Sequence, residues 1–149
     1  MTKKKMELTQ SQADDYMAVK KRPTRRNSIE LIAPFDVTET LTSNEYGDIF
    51  KLDLKQGCIE LDVFKLGNRA HDSFTLYRLD IDDKTHRNPD GTNITGPHLH
   101  IYKEGFNDLF AYDATKFGFT DFKDLPKLIE KFAKLANIEK LKTSVQTSF

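Results

Sequence analysis

The spacing of apolar positions changes twice along the chain, dividing it into a helix, a run of short strands and a second helix. Near the start, Ala13, Tyr16 and Met17 recur at helical spacing, and the stem of Lys20 extends the stripe. Thr9 suits the N-cap and Gln12, three residues on, completes a capping box. Asp14 and Asp15 fall in the early turns, where the helix dipole favours carboxylates. Lys20, Lys21 and Arg22 form the basic C-terminal end of this predicted helix, and Pro23 stops it. Arg22 to Ser28 then reads as a linker into the body of the protein.

From about residue 29 the period falls to two. Ser28–Pro34 reads as a short strand ended by proline, and Val37–Thr42 is rich in β-formers. Ile49–Leu54 alternates more cleanly, Gln56-Gly57 marks a tight turn, and Ile59–Phe64 alternates again before Leu66-Gly67-Asn68-Arg69 breaks the pattern. Phe74–Ile81 and Pro97–Lys103 are further good strands, and Phe106–Tyr112 is a weaker one. Short alternating strands predict an antiparallel meander with one buried face. Helical spacing returns in Phe122, Leu125, Leu128, Ile129, Phe132, Leu135 and Ala136, with Thr120 or Asp121 as cap, Pro126 in the first turns and Asn137 at the end. The fold class expected is α+β: an N-terminal helix, an antiparallel sheet, and a C-terminal amphipathic helix packed on one face. The expected organisation is a basic helix and linker over 1–26, a core over 27–137 and a poorly ordered tail over 138–149.

Size and composition agree with one globular unit. The chain has 149 residues, is 38% hydrophobic, and carries 11 Phe and 5 Tyr, enough aromatic surface to argue against disorder. Its one cysteine, Cys58, excludes a disulfide framework and a multi-cysteine zinc site, and reads as a buried, inert thiol. No run approaches the length of a membrane span, and no apolar stretch follows the basic start, so a cytoplasmic protein is expected. Charge is balanced at 23 basic and 23 acidic residues, which argues against a protein whose main task is to coat phosphate backbone. The balance is uneven: residues 1–26 hold Lys3, Lys4, Lys5, Lys20, Lys21, Arg22, Arg25 and Arg26 against Glu7, Asp14 and Asp15. Such an arm suits RNA or an acidic protein partner, or is simply a solvated helix face.

Candidate chemistry is concentrated between Tyr77 and Gly105, which holds three of the four histidines. On a strand His98 and His100 share a face, with Tyr102 and Glu104 continuing the row, while Leu99 and Ile101 point to the opposite layer. On the preceding strand Phe74, Leu76, Arg78 and Asp80 form one row; if the two strands pair, Arg78 and Asp80 face the histidines. The connection over 83–96 is long for a hairpin loop, and its Asn88-Pro89-Asp90-Gly91 turn folds it back on itself, bringing His86 and Arg87 to the mouth of the row. Neutral and charged imidazoles can take and give protons while arginine holds a phosphate, which is the chemistry of metal-independent RNA cleavage. The same histidines with an Asp or Glu also make a mixed nitrogen–oxygen metal set. The plain alternative leaves them on a wet strand face, tying down the loop. No glycine spacing cradles a phosphate, and no cofactor is expected.

The stretch from Thr85-His-Arg-Asn-Pro-Asp-Gly through Gly96-Pro-His-Leu-His-Ile-Tyr-Lys-Glu-Gly resembles an uncharacterised group of small proteins from Gram-positive bacteria, their phages and mobile elements, a domain of unknown function. Arg78-Leu-Asp80 followed by Pro97-His-Leu-His100 is also similar to small toxin components of toxin–antitoxin pairs, in which an arginine–aspartate strand precedes histidine pairs. Those expect a second histidine beside His86, where Arg87 and Asn88 stand here. The resemblance implies a defence, toxin or phage-accessory setting. The expectation is therefore a domain acting on RNA, with His98 and His100 as acid and base, Arg78 and Arg87 holding phosphate, and His86 and Asp80 orienting the rings. The alternatives are a non-catalytic protein that blocks a host or competing protein through Lys20, Lys21 and Arg22, and a metal-binding module.

Overall fold

The computed structural model describes residues 7–43 and 47–146. Lys3, Lys4 and Lys5 of the basic arm, and the last three residues of the tail, lie outside them. In chain order the elements are α1 (Gln10–Ala18), β1 (Lys21–Pro23), β2 (Ile29–Ile32), β3 (Asp36–Ser43), β4 (Ile49–Gln56), β5 (Phe64–Ala70), β6 (Phe74–Ile81), β7 (Thr85–Arg87), β8 (Asn93–Thr95), β9 (His98–Ile101), β10 (Ala111–Asp113), a 3-10 turn (Ala114–Phe117), α2 (Leu125–Leu135) and β11 (Thr143–Gln146). The class is α+β, as expected.

Seven strands form one antiparallel sheet in the order β1-β3-β4-β5-β6-β9-β10. Its two faces follow from register. Leu54, Leu66, Leu79 and Leu99 are successive partners across four strands, and all four are fully buried. They join Ala13 and Met17 of α1 and Leu128, Ile129 and Phe132 of α2 in one apolar core. One residue along, Gly67, Arg78 and His100 are likewise partners, and by strand alternation they face the other way. One face therefore carries the core, and the opposite face carries the charged and imidazole groups.

Several local expectations change. The capping box at Thr9 and Gln12 is present, but α1 ends at Ala18, and Lys21 and Arg22 belong to β1, paired with β3. Lys21 is buried, its ammonium donating to the carbonyls of Met17, Val19 and Ala136 where the two helices end, and Lys20 pairs with Glu139. The three residues thus present no common basic surface. Residues 57–63 form a loop, with Cys58 exposed in it, and the strand begins at Phe64, where Leu66-Gly67-Asn68-Arg69 lies inside it. Apolar alternation alone cannot distinguish a strand from a loop whose apolar side chains stay exposed, as Ile59 and Leu61 do. A bulge at Leu76, between the pairs Asn68–Tyr77 and Arg69–Thr75, reverses the alternation, so Phe74 and Leu76 join the core and leave Arg78 and Asp80 as the polar row.

The strand expected over 106–112 is reduced to Ala111–Asp113 after a compact turn. Asp124, rather than Thr120 or Asp121, caps α2, accepting from the Lys127 N–H at 3.3 Å. The described part of the tail, 138–146, is tied down: β11 pairs in parallel with β2, and Ile138 is buried. Strand β2 thereby leaves the main sheet, which the order of strands in the chain does not reveal.

Candidate metal centre

The sequence brings the histidines together in two ways. On the polar face, β6 and β9 pair with Arg78 opposite His100 and Asp80 opposite His98. The connection between those strands folds into the β7–β8 hairpin, turned at Gly91, whose φ of 90° suits glycine. Asn88 clamps this hairpin to the sheet edge. Its buried amide donates to the Ala111 carbonyl at 2.9 Å, and its carbonyl oxygen accepts the Ala111 N–H at 2.8 Å. His86 is thereby laid over the pair, with ring centroids 5.5 Å from His98 and 4.8 Å from His100, while His98 and His100 are 4.9 Å apart.

Each ring is oriented by a main-chain carbonyl. His98 Nδ1 lies 2.8 Å from the Gly96 oxygen, His100 Nδ1 2.7 Å from the Asp108 oxygen and His86 Nε2 2.8 Å from the Leu109 oxygen. A carbonyl only accepts, so each of these nitrogens carries the hydrogen. In the neutral rings the lone pairs are then on His98 Nε2, His100 Nε2 and His86 Nδ1. One nitrogen from each ring lies within 4.8 Å of the others.

Asp80 and Arg78 complete the cluster. Asp80 Oδ2 is 3.3 Å from His100 Nε2 and 3.5 Å from His98 Nε2. Arg78 donates to Asp80 at 3.1 Å and to Asp108 at 2.9 Å, and its Nη2 is 3.1 Å from His100 Nε2. His100 Nε2 therefore faces a guanidinium, which needs a lone pair there, and a carboxylate, which needs a proton. Protons alone cannot satisfy both neighbours. Burial opposes the charge on Asp80, yet His100 and His98, whose Nε2 atoms donate to it when the rings are protonated, and the Arg78 charge hold its carboxyl well below the usual carboxylate range. Burial also opposes a charged His98, but Asp80 and the Gly96 carbonyl outweigh it and raise its pKa.

Five of the six residues singled out in the sequence, His86, His98, His100, Arg78 and Asp80, thus meet on one face. Arg87 does not. It alternates with His86 on β7, stays exposed, and its guanidinium lies beside Gly91. Tyr102 leaves the histidine row as well, burying its ring and donating to the Leu8 carbonyl at 2.7 Å, while Glu104 accepts from the Gln10 N–H. Asp108 and Asn88 are cluster residues that sequence reasoning missed. Asp108 sat in a stretch read as strand, and Asn88 was visible only as part of a turn.

A family model matches residues 8–138 of the chain. The protein belongs to a family of unknown function, DUF6978. The match covers both helices and the entire histidine cluster, and agrees with the resemblance to a domain of unknown function. No curated protein and no solved structure matches this DUF6978 member. Among the described residues, no helix is long and apolar enough to cross a membrane.

Proposed function

We propose that this DUF6978 protein is a metal-binding domain in which His86, His98 and His100 hold a divalent transition metal, with Asp80 beside them as an oxygen ligand. The observation that carries this reading is the orientation of the rings. All three imidazoles give one N–H to a main-chain carbonyl, the outer-shell arrangement that fixes metal-ligating histidines. A tetrahedral set with metal–nitrogen bonds of about 2.0–2.1 Å needs nitrogens roughly 3.3 Å apart, so closing the cluster draws each ring inward by less than about 1 Å. Arg78 does not oppose the cation, because Asp80 and Asp108 together outweigh its charge. A metal ion would take the His100 Nε2 lone pair and bind the neighbouring carboxylate in place of a proton, while Arg78 keeps Asp80 and Asp108 as its acceptors. Nitrogen–oxygen donors of this kind suit zinc, cobalt, nickel or copper.

With His98 and His100 only 4% and 2% exposed, the centre is closed, as structural sites are. Its role in this reading is to pin the β7–β8 hairpin and the 106–110 turn to the sheet. The same burial disfavours the toxin-like RNA cleavage expected from the sequence, since a polymer's 2′-hydroxyl must reach a ring nitrogen. Elemental analysis of protein purified without chelator, and titration of stripped protein with zinc or cobalt, test the proposal. About one equivalent is expected, with the intense visible absorption of tetrahedral cobalt, and both are lost in His86→Ala, whose half-buried side chain can be removed without opening the core. Absence of saturable binding by folded wild-type protein, or binding unchanged in His86→Ala, would overturn it.

A further inference from the structure

At the other side of the molecule, beyond the sheet edge formed by β1, two distant segments build a strongly basic concavity. Arg22, Arg25 and Arg26 follow one another at the end of β1 and after it, and Lys140 and Lys142 come from the segment before β11. The parallel pairing of β11 with β2 brings the two segments together, and the Ile29 N–H donates to the Lys142 carbonyl at 2.8 Å. The hollow is open to solvent and has a volume of about 620 Å³, the size of a small-ligand site. Of its five cations only Arg25 has an acidic partner, Glu39 at 2.9 Å. Arg22, Arg26, Lys140 and Lys142 form no ion pair among the described residues. Four like charges left uncompensated in one hollow repel one another and focus a positive potential into it.

We infer that this cavity binds a phosphate chain, the chemistry shared by inorganic polyphosphates and the triphosphate of a nucleotide. Its remaining lining residues are Pro23 and Thr24. No aromatic ring is there to stack on a base, and no carboxylate to read a base edge or ribose, so recognition rests on the phosphates. Guanidinium forks suit consecutive phosphate oxygens, and two lysines supply point charges. The balanced charge of the whole chain favours a compact anion over a long nucleic acid.

The test is calorimetric titration of the full chain, in buffer with chelator present, with inorganic tripolyphosphate, a nucleoside triphosphate and a short RNA oligonucleotide as separate probes. The chelator keeps the outcome independent of the histidine cluster. Tripolyphosphate is expected to bind at one equivalent, weakening as salt is raised, and by about tenfold or more in Arg26→Gln/Lys140→Gln/Lys142→Gln, which alters exposed side chains only. Comparable binding of the nucleotide assigns the natural source to nucleotides, and preference for tripolyphosphate assigns it to inorganic chains; either supports the site. The inference is overturned if neither binds, if binding is unchanged in the triple variant, or if only RNA binds.

Discussion

The ammonium of Lys21 donates to the carbonyl of Ala136 at 2.8 Å, across 115 positions of chain. It also donates to Val19 at 3.1 Å and Met17 at 3.3 Å, and lies 5.1 Å from the centre of the Phe50 ring. The C-terminal ends of α1 and α2, each a concentration of partial negative charge, converge on this single cation. Lys21→Ala removes the ammonium from the Val19 and Ala136 carbonyls, leaves Met17 with the Asn137 amide at 3.0 Å, and opens a gap over Phe50. A loss of about 2–4 kcal/mol is expected by urea denaturation followed by circular dichroism. An unchanged midpoint would show that the three bonds add nothing net.

Burial also depresses the Lys21 pKa, to about 8. The unfolded chain holds the same proton up to about 10.4. The folded state therefore binds it less tightly, and the cost of burying the charge is fully present below about pH 8. As pH rises above that value the folded protein loses the proton first, and stability contributed by this site increases until the unfolded chain titrates too. Relative to Lys21→Met, which cancels the titration of every other group, wild type should gain about 2 kcal/mol between roughly pH 7.5 and pH 9.5. A flat difference would contradict the assignment.

Asp80 is the carboxylate shared by Arg78, His98 and His100, and is itself buried. Asp80→Asn keeps the shape and removes the charge, leaving Arg78 with Asp108 alone. About 3 kcal/mol or more of stability should be lost in chemical denaturation. Glu139→Gln, which breaks the exposed pair with Lys20, should stay within about 0.5 kcal/mol of wild type. Equal effects would mean that the buried cluster gains nothing from its geometry.

Asn88 tests how the histidine cluster is assembled. Its amide makes the paired bonds to Ala111 that hold the hairpin, and through it His86, against β10. Asn88→Ala should cost about 1–3 kcal/mol, the range for a buried polar group left unpaired. Amide exchange should quicken over 84–96 while β4 and β5 remain protected. Uniform exchange across the sheet would show that the hairpin is not a separate unit.

The faces of β4 and β9 were legible from alternation, because a period of two fixes which side chains share a side, whereas the bulge at Leu76 reversed it within β6. Phe74–Ile81 matches its predicted span, and the partnership of Arg78 and Asp80 with His100 and His98 follows from the order of their strands. The hairpin over 83–96 was legible in Asn88-Pro89-Asp90-Gly91, whose residues favour a turn in isolation. The capping box was also local, and it too is present.

What no local pattern contained was long-range pairing. Lys21 read as a solvated helix end because a buried lysine is tolerable only where several acceptors surround it, and its acceptor on Ala136 comes from the far end of the chain. The tail read as loose because a four-residue strand has no signal until β2 is beside it. Asp108 carries no motif, yet its carboxylate and carbonyl serve Arg78 and His100. Sequence by itself determined the class of the fold, the pairing of Arg78 and Asp80 with the histidine row and which imidazoles share a face. Tertiary structure alone decided that those rings are buried and turned by carbonyls, and that two basic segments line one cavity, because burial and convergence depend on chain elements that meet only after folding.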